Sequence, residues 1–329
     1  MFRDNIQQRN HGLKQSDVDH LFKTMIEAGR ELAARRDEFA SNYKPKNDGS
    51  PQTSGDLFVQ DELKEALSKF EIKNKKGQKE RCAIISEEHD ADINIDIMQK
   101  ADEEKKPVWV IDPIDGTQSY MENRKEYTIN VALLSAPDAT GNRTPVFGAV
   151  YAPAKNEFFF TGLDGKSYEA TPKQEGFAIH SLFETRSKKQ IKAADTVSDD
   201  VRVANGSEYE GGTDIFGDNV STERHTGAYR TLIAARGEAD AAIFNKSAAI
   251  WDVAAVDAIM RGAGGRAFPI KDGKVTGNEL YYGNDAARYS NGNMLEAGPY
   301  ISVNPKLFEA LKIPTADDVL ITLGSKGRA

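Results

Sequence analysis

Helical stripes on either side of a run of apolar strands predict an α+β fold for this chain. Three observations carry that prediction. Residues 108–170 hold several apolar strands separated by short turns, which reads as an antiparallel or mixed sheet. Apolar residues at helical spacing come before it, up to about residue 40 and again up to Phe70. A second strongly helical run, Trp251 to Met260, comes far downstream and ends at Gly262, Gly264 and Gly265.

Taken in order, residues 1–15 read as a loose arm. Residues 16–329 read as one domain, with an N-terminal α+β half to about 195 and a C-terminal α/β half from about 196. Ser16-Asp17-Val18-Asp19 can cap a helix whose packing stripe is Leu21, Phe22, Met25, Ile26, Leu32, Ala33 and Phe39. Asn42 to Gly55 is rich in Lys, Pro, Asn, Gly and Ser and reads as a turn or loop. A second helix follows, with Leu57, Val59, Leu63, Ala66, Leu67 and Phe70 as its apolar positions. Asp56 lies at its start, where capping is the default role. Cys82 to Ile85 is a short buried strand with Ser86-Glu87-Glu88 at its C-terminal end, which is where open α/β sheets place their ligands. For Glu88 the expectation is a solvated strand end. His89 to Lys106 is polar and reads as a surface excursion.

Tyr127–Leu134, Val146–Tyr151 and Glu157–Thr161 continue the strands. Residues 171–225 are polar and link the two halves, with Val201 to Ala204 as a possible strand within them. Thr226 to Arg236 reads as a helix and Ala239 to Phe244 as a strand. Asp252 falls in the first turn of the helix that follows, where its charge suits the helix dipole. Pro305 to Leu311 is a last helix.

The composition limits what the chain does. Its 329 residues are enough for a substantial core. Hydrophobic residues make up 39% and charged residues 29%, as in an ordinary globular protein. A net charge of −8 argues against nonspecific binding to nucleic acid or an anionic membrane. No apolar run approaches a bilayer span, and residues 1–15 lack the apolar core of a secretory signal. Cys82 is the single cysteine, so no disulfide forms within the chain, which fits a reducing, cytoplasmic setting.

The most informative stretch is Trp109 to Thr117. An apolar strand runs into Asp112 and Asp115, three residues apart, with Pro113 fixing one φ between them. Gly116 permits a positive φ or a close backbone approach, and Thr117 adds a hydroxyl. Hard divalent cations take carboxylate and carbonyl oxygens from such a turn, and a phosphate takes free N–H groups there. Asp-Pro and Asp-Gly are also ordinary turn dipeptides, so these residues alone leave a solvated loop open. His11, His20, His89, His180 and His225 show no paired ligand spacing.

With Glu87, Asp112-Pro113-Ile114-Asp115-Gly116-Thr117 and Trp251-Asp252-Val253-Ala254-Ala255 in order, the chain resembles the inositol monophosphatase family from about residue 16 to 311. These are Mg²⁺-dependent, lithium-sensitive phosphatases of small phosphorylated molecules, often dimeric. The resemblance implies the layered α-β-α-β-α sandwich shared with fructose-1,6-bisphosphatase. It also implies two or three Mg²⁺ ions held by Glu87, Asp112, the Ile114 carbonyl, Asp115 and Asp252. Glu87 and Thr117 would orient the attacking water, and Asp56 would hydrogen-bond Thr117. The backbone N–H groups of Gly116 and Thr117 would hold the phosphate, with Asp115 beside it. No lysine or arginine lies in these motifs, so the gathered acids would repel one another without cations.

Two positions depart from the pattern of enzymes acting on inositol monophosphate. Asn245 stands where an acid usually meets a sugar hydroxyl. Arg230, in Thr226-Gly227-Ala228-Tyr229-Arg230, puts a cation where nucleotide and polyphosphate branches often carry lysine. It reads either as a contact to a second phosphate or as a surface arginine on a helix. The expected activity is therefore inositol monophosphatase-like hydrolysis of a small phosphomonoester. A 3′(2′),5′-bisphosphate nucleotidase, an inositol-polyphosphate 1-phosphatase-like enzyme and a catalytically silent binding protein are the alternatives. The expected assembly is a cytoplasmic homodimer without nucleic-acid or membrane partners.

Overall fold

The computed structural model describes residues 12–46, 49–73, 79–172, 188–194, 196, 200–206, 219–271, 274–283 and 295–310. The expected arm falls outside these residues up to His11, as do His180, Leu311 and much of 171–225.

Seven strands form the first sheet: β1 Ala83–Ser86, β2 Val108–Asp115, β3 Thr128–Leu134, β4 Pro145–Ala152, β5 Glu157–Thr161, β6 Ser167–Ala170 and β7 Lys188–Gln190. They lie in sequence order across the sheet, and only the β1–β2 pair is parallel. Six strands form the second: β8 Val201–Asn205, β9 Val220–Arg224, β10 Ala241–Ala249, β11 Arg266–Lys271, β12 Lys274–Val275 and β13 Glu296–Val303. Their order is β9-β8-β10-β13-β11-β12. The helices are α1 Gln15–Ala34, α2 Arg36–Ser41, α3 Ser54–Ser68, α4 Ala91–Glu103, α5 Thr117–Met121, α6 Tyr229–Ala235, α7 Ile250–Gly262 and α8 Pro305–Ala310.

Strand alternation builds the layers. On β2, Trp109 and Ile111 face one way, into the core shared with Phe22 of α1 and Leu63 of α3, while Val108 and Val110 face the other, toward α6 and α7. On β10, Ala242 and Phe244 join that same central core, and Ala241 and Ile243 face outward with Leu307 of α8. The result is helix, sheet, helix, sheet, helix, the predicted α+β layered sandwich. Among the described residues no helix is long and apolar enough to cross a membrane.

The structure corrects three local readings. Residues 91–103 of the expected surface excursion are helix α4, whose Asn94, Met98 and Ala101 are buried. The Asn94 side chain accepts from the Ser86 N–H (3.2 Å) and donates to the Ser86 carbonyl (2.7 Å), so a polar residue occupies a core-facing helical position. Residues 42–55 hold a two-stranded ribbon, Tyr43–Pro45 against Pro51–Thr53, where a loop was expected. The Glu88 side chain is fully buried, not solvated: its carboxylate receives Lys46 and the Gln52 amide.

Candidate metal centre and substrate cavity

Asp112 and Asp115 would point to opposite faces of a regular strand, being three residues apart. They do not, because the pairing of β2 with β3 slips between them. Asp112 lies opposite Asn130 and Asp115 opposite Thr128, so β2 carries one extra residue there. Such a bulge re-aims side chains, and Pro113, which has no N–H to offer a ladder, tolerates it. Asp252 comes from the first turn of α7, where its Oδ2 accepts the Ala249 N–H at 3.0 Å. One carboxylate oxygen each from Asp112, Asp115 and Asp252 lie within 4.8 Å of one another, in a group able to hold a metal ion.

The electrostatics are those of a site built for cations. Neither Asp112 oxygen has a hydrogen-bond partner, although the residue is 1% exposed. Burial, then the negative charges of Glu87, Asp115 and Asp252, raises the Asp112 carboxyl well above its ordinary value. Burial, then Asp115 and Glu87, does the same to Asp252. Burial also lifts Asp115 to about 6, against the pull of the Ala228 N–H and Arg230. Carboxylates kept buried and unpaired are costly. An oxygen-seeking divalent cation would supply the missing partner, so the donor set fits the metal that the sequence implies.

Glu87 stands beside this group rather than in it. Its Oε1 accepts from Lys46 Nζ at 2.6 Å, and Lys46 also donates to Glu88 Oε1 at 2.7 Å. Lys46 lies in the stretch expected to be a turn or loop, outside the motifs that carry the acids, and its charge nevertheless reaches Glu87 and Glu88. Thr117 Oγ1 lies 3.1 Å from Asp56 Oδ1 and 3.0 Å from the Ile114 carbonyl. Asp56 does cap its helix, its Oδ2 accepting from the Thr53 N–H (2.7 Å) and hydroxyl (2.6 Å). Its other oxygen faces Thr117, so both expected roles coexist. Burial, opposed by the Thr53 hydroxyl and reinforced by the charge of Glu88, lifts Asp56 to about 7. Gly116 takes φ 83° and ψ 43°, the left-handed turn its identity permits, and sets Thr117 at the start of α5.

A cavity of about 330 Å³ opens beside the acids and includes Asp115, Asp252, Gly227, Arg230, Asn245 and Lys246 in its lining. Arg230 is half-buried on the cavity wall. Its Nε donates to the Gly227 carbonyl and its Nη1 to the Ile243 carbonyl, both at 3.1 Å, and the guanidinium lies 3.9 Å from the centre of the Phe244 ring. Asn245 is on the same wall. Sequence reasoning missed Lys46, Glu126 and the contact of Asp115 with the Ala228 N–H. Gly227 makes that contact possible: a Cβ there would overlap the Asp115 carboxylate. The Gly within Thr226-Gly227-Ala228 was the available signal.

Two sheets interleaved with helices thus bring clustered acids beside a cavity. The inositol monophosphatase family model matches residues 14–302, and the chain belongs to that family. It resembles 3′(2′),5′-bisphosphate nucleotidase CysQ of Aggregatibacter actinomycetemcomitans, with 24% identity over 268 residues, 79% of this chain and 88% of the relative. The crystal structure of CysQ from Bacteroides thetaiotaomicron superposes with a TM-score of 0.64 at 21% identity, covering 88% of this chain and 97% of that one. The suhB protein of Bartonella henselae superposes with a TM-score of 0.61 at 19% identity, covering 93% and 100%. At these identities the structures speak for the fold alone. The chain is an enzyme, a phosphoric monoester hydrolase, of a metal-dependent family.

Proposed function

We propose that this chain hydrolyses a small phosphomonoester with Mg²⁺, and that the substrate carries a second anionic group, as a nucleoside 3′(2′),5′-bisphosphate does. The observation that carries the metal reading is the Asp112 carboxylate, buried with both oxygens unpartnered between Asp115 and Asp252. Asp112, Asp115, Asp252, the Ile114 carbonyl and Glu87 would hold Mg²⁺. When bound, the cations offset the charge of these acids and of the phosphate and acidify water. The Thr117 hydroxyl, which can donate to Asp56 or Ile114, keeps its lone pairs to receive a hydrogen from the attacking water. Asp56 fixes that hydroxyl because it is itself held by Thr53. Asp115, Gly116 and Thr117 would bind the phosphate.

The substrate reading is supported by Arg230 and Asn245 on the cavity wall and by the resemblance to the nucleotidase. A guanidinium there suits a second phosphate better than the uncharged face of an inositol ring. Turnover of adenosine 3′,5′-bisphosphate and of inositol 1-phosphate, each with Mg²⁺ and then with added Li⁺, tests it. The bisphosphate is expected to have the higher kcat/KM, and Li⁺ to inhibit. Equal or better use of inositol 1-phosphate would return the reading to the monophosphatase. No hydrolysis of either substrate would defeat the substrate reading. The same reading makes residues 16–329 one catalytic domain working as a homodimer in the cytoplasm, which light scattering and cell fractionation test.

A further inference from the structure

We infer that Glu126 is a positioning residue that clamps the segment 225–228 against Asp115, and that it thereby sets both the metal affinity and the shape of the cavity wall. This rests on the function proposed above.

Glu126 lies between α5 and β3, in the N-terminal half, almost a hundred residues from the segment it holds. Its Oε1 lies 3.1 Å from His225 Nδ1, its Oε2 accepts the Thr226 N–H at 3.0 Å, and its backbone carbonyl accepts the Thr226 hydroxyl. The other side of the segment is also tied, the His225 N–H donating to the Asn205 carbonyl at 2.8 Å. Held this way, the next two residues present the Gly227 backbone and the Ala228 N–H to the Asp115 carboxylate. Thr226 and Gly227 then line the cavity. Among the described residues no hydrogen bond or ion pair joins Glu126 to the three clustered acids, yet it holds the backbone that meets one of them. A group that orients a metal ligand from behind typically changes metal affinity by 10–100-fold when lost.

The test is calorimetric Mg²⁺ binding to the metal-free full chain, together with KM and kcat on a hydrolysed phosphomonoester. Glu126→Ala is expected to weaken Mg²⁺ binding about tenfold or more and to raise KM more than it lowers kcat. Glu126→Gln, which keeps one acceptor oxygen, is expected to recover part of both. Lys155→Met removes the ion pair that Lys155 makes with Glu126 at 3.4 Å and is expected to leave both within about twofold, because the ties to 225 and 226 remain. If Glu126→Ala lowers only the melting temperature while Mg²⁺ affinity and KM stay at wild-type values, Glu126 is merely structural and the inference fails. Should that variant not fold, Glu126→Gln and His225→Ala decide: each removes one tie and is expected to raise KM, and wild-type values in both overturn the clamp. A wild-type chain that neither binds Mg²⁺ nor hydrolyses a phosphomonoester defeats the functional reading itself, and the clamp with it.

Discussion

Lys46 Nζ lies 2.6 Å from Glu87 Oε1 and 2.7 Å from Glu88 Oε1, so one lysine charge is shared by two carboxylates adjacent in sequence. Burial, then the charge of Glu87, raises the Glu88 carboxyl above its ordinary value, and Lys46 opposes that. A divalent ion drawing on Glu87 has to compete with this ammonium.

Lys46→Met should therefore act in two directions. The metal-free protein should lose about 1–3 kcal/mol, read by urea denaturation, because a buried carboxylate is left without its partner. The Mg²⁺ concentration giving half-maximal activity should fall, about fivefold for a competing contact worth ~1 kcal/mol. An unchanged or higher Mg²⁺ requirement would show that Lys46 does not compete at Glu87.

Asp112→Asn should separate stability from activity. Its neighbours Asp115 and Asp252 lose a repelling charge, so the metal-free melting temperature should rise. Turnover with Mg²⁺ should fall by at least about a hundredfold, since a direct ligand matters more than the outer groups that orient ligands. Near-wild-type turnover would remove Asp112 from the proposed centre.

The metal-free chain should become less stable as pH rises. Asp115 titrates at about 6 and Asp56 at about 7 in the folded state, against ~3.9 when unfolded. The folded form keeps protons that the unfolded form has already lost, so their contribution fades from about pH 4 upward through 6 and 7. Mg²⁺ should replace those protons, and its increment in melting temperature should be larger at pH 8 than at pH 5. Thermal melts at both pH values with and without Mg²⁺ check this; an equal increment would contradict it.

Gly227→Ala places a methyl group where the Asp115 carboxylate sits, at a residue with φ 44°. The left-handed backbone alone costs an L-residue ~1–2 kcal/mol, and the overlap adds to it. Stability and Mg²⁺ affinity should both drop, measured by denaturation and calorimetry. Wild-type Mg²⁺ affinity would mean that Asp115 tolerates displacement.

Much of this protein was legible in its sequence because the signals were local. The apolar runs Val108 to Ile111 and Tyr127 to Leu134 marked strands, and the run from Asp112 to Thr117 marked a strand end carrying two acids. Helix α4 was not legible, because Asn94 takes a core position by bonding to Ser86 and so breaks the apolar period.

The strands and helices of an α+β fold, and a turn at Gly116, could be read from the sequence itself. The layered sandwich and the meeting of Glu87, Asp112, Asp115 and Asp252 were implied by the family resemblance, and the structure gathers the three aspartates. Only the tertiary structure decided that Lys46 reaches Glu87, that Arg230 lines the cavity, and that Glu126 holds the backbone opposite Asp115. Each of those depends on where two distant segments are brought by packing, and neither period nor composition records the distance between chain positions that meet only when the layers close.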